Sequence, residues 1–148
     1  MLATINTDAS YSKLTKQATF AFWIKTDMYT IKRSGVIKSL CDTSTEAELK
    51  CIINAIYTIS EQTGITEIIL NTDSLNSIHI LTKDIKNIRK YRLHWGDKYL
   101  KMVESIIKNI KIDYRHVKAH NDTDSRRTYV NDWCDKAAKE QMGKIICK

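Results

Sequence analysis

Four carboxylates carry the chemistry open to this sequence: Asp8, Glu48, Asp73 and Asp135. Asp8 closes one short apolar run and Asp73 follows another, while Glu48 and Asp135 stand near the starts of two helical segments. In an open sheet, the carboxyl ends of parallel strands and the adjoining helix starts gather at one crevice. Four acids crowded there would repel and raise one another's pKa values unless cations neutralised them. Carboxylate ligands suit Mg²⁺ or Mn²⁺ better than zinc. Two such ions, roughly 3.5–4 Å apart, can activate a water and stabilise the leaving oxygen of a phosphodiester.

Each acid also has a structural reading. Thr45-x-x-Glu48 has the form of a capping box, in which Glu48 would satisfy helix-end amides. Asp73 could be an N-cap, Asp135 an acid near a helix dipole, and Asp8 a turn residue. His120, in a polar loop, could be a solvated side chain. Glu46 competes with Glu48, and Asp132 with Asp135; residue type alone leaves both pairs open.

The elements that must position these acids follow from periodicity. Leu2–Asp8, Ala18–Ile24 and Tyr29–Ile37 read as three strands of an antiparallel meander. Thr43–Glu46 opens a helix whose stripe is Ala47, Cys51, Ile52, Ala55, Ile56 and Ile59, with Gly64 as its stop. Ile65–Asn71 suits a buried parallel strand, and Asp73 and Ser74 cap a helix through Leu81. After a basic stretch from Lys83 to Lys101, a helix resumes through Ile110, and Ile112–Val117 is a strand. A polar loop, Asn121–Thr128, leads to a last helix from about Asn131 to Met142. The order β-β-β-α-β-α-α-β-α predicts an α/β protein with a five-stranded mixed sheet flanked by helices. No repeat, linker or composition break divides residues 1–148, so one domain is expected.

The net charge of +7 favours a polyanionic partner, although abundant Ile, Lys and Asn suggest an AT-biased coding sequence that explains part of it. Lys83, Lys86, Arg89, Lys90, Arg92 and Lys98 are interleaved with Tyr91, Trp95 and Tyr99. That pattern reads either as a nucleic-acid grip or as a solvated helix with a small aromatic core. Cys41, Cys51, Cys134 and Cys147 form no C-x-x-C pair, so a thiolate metal site is not expected. The sequence shows no secretory signal and no apolar stretch approaching a membrane span, and a cytoplasmic or nuclear location with reduced thiols is expected.

Five segments, NTDAS at 6–10, STEAEL at 44–49, ILNTDS at 69–74, VKAH at 117–120 and NDWCDKAA at 131–138, resemble the signatures of the ribonuclease H type 1 family. They occur in the family's order, with similarity to retroelement and large-virus members. The resemblance implies a ribonuclease H-like fold. It also implies a monomeric endonuclease hydrolysing the RNA strand of an RNA–DNA hybrid, with two Mg²⁺ ions (Mn²⁺ possible), leaving 5′-phosphate and 3′-hydroxyl ends. Asp8 matches the acid bridging both metals, Glu48 and Asp73 the acids on the metal that activates water, and Asp135 the second metal's ligand. The family pattern selects Glu48 over Glu46 and Asp135 over Asp132. His120 matches a mobile-loop histidine that handles the leaving-group proton. Substrate contacts are implied at Ser10, Thr43, Ser44, Thr45, Lys86, Arg89, Lys90 and Trp95. Ser44 or Thr45 replaces an Asn that reads ribose 2′-hydroxyls, and Ala9 and Ala119 replace glycines. The span from His120 to Asp135 is longer than in compact bacterial members. Two other readings are a DNA-directed nuclease or resolvase of the same superfamily, and a non-catalytic hybrid-binding module.

Overall fold

Three strands, β1 (Leu2–Tyr11), β2 (Ala18–Lys25) and β3 (Thr30–Val36), form an antiparallel meander ahead of α1 (Ser44–Ser60). There follow β4 (Glu67–Thr72), α2 (Leu75–Leu81), α3 (Lys90–Ile106), β5 (Lys111–His116) and α4 (Arg126–Ile146). The strands make one mixed sheet, ordered β3-β2-β1-β4-β5, in which β4 is parallel to β1 and β5. The computed structural model describes the backbone of residues 1–84, 90–117 and 126–146, and the side chains of 1–84, 96–117 and 129–145.

The element order is the predicted one; β1, α3 and α4 depart most from their expected bounds. β1 does not end at Asp8. Its parallel pairing with β4 stops at Asn6–Asn71, while antiparallel pairing with β2 runs on from Asp8–Ala21 to Tyr11–Ala18. The hairpin keeps the chain extended, and Asp8 emerges just past the end of the β4 ladder. α3 already begins at Lys90, inside the basic stretch, and ends at Ile106, short of Ile110. α4 begins at Arg126 rather than Asn131, because no glycine or proline interrupts 126–130. Asp135 therefore lies in the third turn of its helix.

Side-chain alternation gives the sheet two unlike faces. Ala3 and Ile5 of β1, Phe22 and Ile24 of β2, and Ile68 and Leu70 of β4 are fully buried with α1 in the main core. α1 supplies Leu49, Ile52, Ile53, Ile56 and Ile59 to it, each aliphatic side chain contributing about 1.5–3 kcal/mol by leaving water. Intervening residues point the other way, toward α4. Asn6 bonds to Asn131, Trp23 stacks edge-on against Trp133, and the Thr19 hydroxyl donates to the Ala138 carbonyl at 2.6 Å. Lys32, paired with Trp23 across β2 and β3, places its ammonium 3.7 Å from the Trp23 ring centroid. α4 thus rests on a polar and aromatic surface, α1 on an aliphatic one.

Candidate functional site

Three elements deliver three acids to one point. Asp8 comes from β1 beyond its parallel ladder, Asp73 from the turn after β4, and Glu48 from the fifth position of α1. One carboxylate oxygen from each lies within 4.8 Å of the others. The Ala9 amide donates to Asp8 Oδ1 at 2.9 Å and to Glu48 Oε1 at 3.3 Å. Glu48 Oε2 is buried with no hydrogen-bond partner among the described residues. Burial, then the charges of Asp73 and Asp135, pushes the Asp8 carboxyl up from 3.8 to about 7. Burial, then Asp8 and Asp73, holds Glu48 well above the carboxylate range. An orphaned buried oxygen among like charges is what a divalent cation relieves, and an all-carboxylate set suits a hard ion. The residues fit the implied metal.

Asp135 stands outside that trio but close enough for its charge and hydrogen bonding to act on Asp8. Its Oδ2 accepts from Lys139, one turn on, at 3.0 Å. Asp132 is exposed. The structure thus turns Asp135, rather than Asp132, toward Asp8.

Glu46 and Glu48 part company in the same way. Thr43 is the N-cap of α1, its hydroxyl accepting the Glu46 amide at 3.1 Å, and Glu46 Oε1 accepts the Asp42 amide at 3.0 Å. The capping box is therefore Thr43-x-x-Glu46 instead of Thr45-x-x-Glu48, with the glutamate accepting from the Asp42 amide, one residue before the N-cap. Glu46 Oε2 also accepts from the Tyr99 hydroxyl at 2.9 Å, tying α3 to the start of α1. Capping thus employs Glu46 and leaves Glu48 to the cluster.

Of the remaining expected residues, Ser44 and Thr45 line a cleft of about 400 Å³ with Glu48, Asp73, Ser74, Leu75 and Asn76. Ser44 is exposed at the rim and Thr45 buried. Ser10 is half-buried on β1 opposite Thr19. Lys90 and Trp95 belong to α3, but their side chains, like His120, Lys86 and Arg89 altogether, lie outside the described residues.

The structure adds groups that sequence reasoning passed over. His116, at the end of β5, sets Nε2 3.2 Å from the Asp73 carbonyl. Beneath the acids lie three amides, Asn6, Asn71 and Asn131, joined by hydrogen bonds. A signal for two of them was present: Asn-Thr-Asp occurs at both 6–8 and 71–73, and two residues along a strand share a face.

A family model described as RNase H matches residues 2–143. Among solved structures, RNase H1 from the halophilic archaeon Halobacterium salinarum superposes with a TM-score of 0.72 at 15% identity, over 97% of this chain and 99% of that one. LC11-RNase H1 in complex with RNA/DNA hybrid gives 0.68 at 15% identity, over 97% and 99%. The RNase H domain of prototype foamy virus gives 0.59 at 18% identity, over 95% and 92%. At these identities the likeness is one of fold. No curated protein matches the chain by sequence.

Proposed function

The chain belongs to the RNase H family, and on that premise we propose that it is an endonuclease cutting the RNA strand of RNA–DNA hybrids with divalent-ion assistance. The observation carrying this reading is the meeting of Asp8, Glu48 and Asp73 within 4.8 Å, with Glu48 Oε2 buried and unpartnered among the described residues. These three would hold one Mg²⁺ or Mn²⁺ ion, and Asp8 with Asp135 a second. Such ions supply Lewis acidity toward water and toward the phosphodiester oxygens. The protein's own part is to fix four acids on separate elements, so that little reorganisation is left to the reaction. Water adds to phosphorus as the bond to the ribose 3′ oxygen breaks, leaving 5′-phosphate and 3′-hydroxyl ends. His120 is assigned the leaving-group proton, and Ser44 and Thr45, at the cleft beside Glu48, contacts to ribose 2′-hydroxyls.

The test is cleavage of labelled hybrid, duplex DNA and duplex RNA, with and without Mg²⁺. Loss of the RNA strand of the hybrid alone, and only with the ion, is expected. Asp73→Asn should lower the rate by more than the roughly 10–100-fold typical of residues that merely support a ligand. Wild-type rates in that variant would refute the metal assignment, and cleavage of duplex DNA would favour a DNA-directed nuclease.

A further inference from the structure

The fourth acid reaches the site differently from the other three. Asp135 sits on α4, on the opposite face of the sheet from α1, and must be held against Asp8, whose strand position shares the α4-facing side with Asn6. A chain of amides runs through the place where this happens. Asn71 Nδ2 on β4 donates to Asn6 Oδ1 on β1 at 3.3 Å, and Asn6 Nδ2 donates to Asn131 Oδ1 on α4. Asn6 and Asn71 are paired across the parallel ladder and are 4% and 1% exposed.

Each amide stands one structural repeat from an acid. Asn6 precedes Asp8 by two strand positions, Asn71 precedes Asp73 by two, and Asn131 precedes Asp135 by one helical turn. A layer of three carboxamides therefore underlies three carboxylates, element for element. Cys134 adds a contact of the same kind, its thiol donating to the Asn6 carbonyl at 3.5 Å.

We propose that Asn71, Asn6 and Asn131 are positioning residues: a directional amide relay that fixes α4, and with it Asp135, in register with Asp8. Direction matters because an amide has a donor end and an acceptor end. By occupying Asn6 Oδ1, Asn71 turns Asn6 Nδ2 toward α4, where only an acceptor fits. Asn71 Oδ1 has no partner in the described structure, so this residue contributes orientation. Buried amides in an otherwise packed sheet are tolerated where hydrogen bonds compensate them and specify one arrangement.

The relay rests on the metal reading above, and its test separates the two. Mn²⁺ binding is measured calorimetrically without substrate, beside kcat and KM on hybrid, in wild type, Asn6→Leu and Thr19→Val. Thr19→Val also removes a buried hydrogen bond to α4, but one at Ala138, beyond Asp135. Asn6→Leu should weaken Mn²⁺ binding and lower kcat by about tenfold or more, with KM unchanged. Thr19→Val should lower the Tm while leaving Mn²⁺ affinity and kcat at wild-type values. Asn71→Val, a good strand former, should move both quantities as Asn6→Leu does but less, and serves if Asn6→Leu does not fold. Equal Mn²⁺ affinity in wild type and the asparagine variants, or equal losses in Thr19→Val, would overturn the relay. Mn²⁺ binding that depends on Asn6 in a protein that cuts no hybrid would support the relay and refute the ribonuclease reading.

Discussion

Asp8 is where the tension in this protein is concentrated. Its carboxyl is pushed to about 7 by burial and by Asp73 and Asp135, against 3.8 for an unperturbed aspartate. Between those values the folded chain binds more protons than the unfolded one, so stability falls as pH rises. The contribution is full below about pH 4 and lost as the pH passes about 7; Glu48, also raised, acts in the same sense. Without metal, the Tm of wild type should drop between about pH 5 and 7 more steeply than that of Asp8→Asn. Adding Mg²⁺ should flatten the wild-type curve, and parallel curves without metal would show the acids to be uncoupled. The residue scale also separates two glutamates two positions apart. Glu48→Gln should abolish cleavage, whereas Glu46→Gln keeps a carbonyl oxygen for the Asp42 amide and should cleave as wild type does.

At the scale of elements, the start of α1 matters most, since it aims Glu48 and forms one wall of the cleft. Thr43→Ala removes the cap and should cost about 1 kcal/mol in chemical denaturation. A change no larger than that of an exposed-site control such as Ser105→Ala would show the cap to be dispensable. This is also the scale on which the sequence was most and least informative. The strands and α1 were readable because alternation and an aliphatic stripe leave one solution, with Ala3 and Ile5 on one face and Ile52, Ile56 and Ile59 against them. The end of β1 was not, because the stretch past Asp8 is held extended by pairing with β2 and is too short to show an apolar alternation of its own. The start of α4 was hidden because its first residues are polar and look like a loop. Of the site, Asp8 and Asp73 follow from strand position. The cap on Thr43 and the amides under the acids depend on which neighbours the fold supplies, and periodicity does not encode those.

For the molecule as a whole, a surplus of positive charge suits the polyanionic substrate proposed above. Phosphate contacts release counterions, so KM for hybrid should rise with salt while kcat changes little. Lys98, exposed on α3 beside Tyr99, should carry one such contact if α3 faces the hybrid. Lys98→Gln should then reduce the slope of log KM against log salt by about one, and an unchanged slope would place the hybrid elsewhere. Among the described residues no helix is long and apolar enough to cross a membrane. The two unlike faces of the sheet have a consequence for how the protein comes apart. α1 buries ten side chains, whereas the described part of α4 buries only Cys134, Ala138 and Met142 and otherwise leans on hydrogen bonds and aromatic edges. The α4 amides should therefore exchange with deuterium through a local opening well below the global unfolding free energy, with β1 and α1 still protected. In that opened form the sheet is folded and three acids are in place, but Asp135 has gone. Seating of the fourth acid would be the last event in folding and the first to be undone.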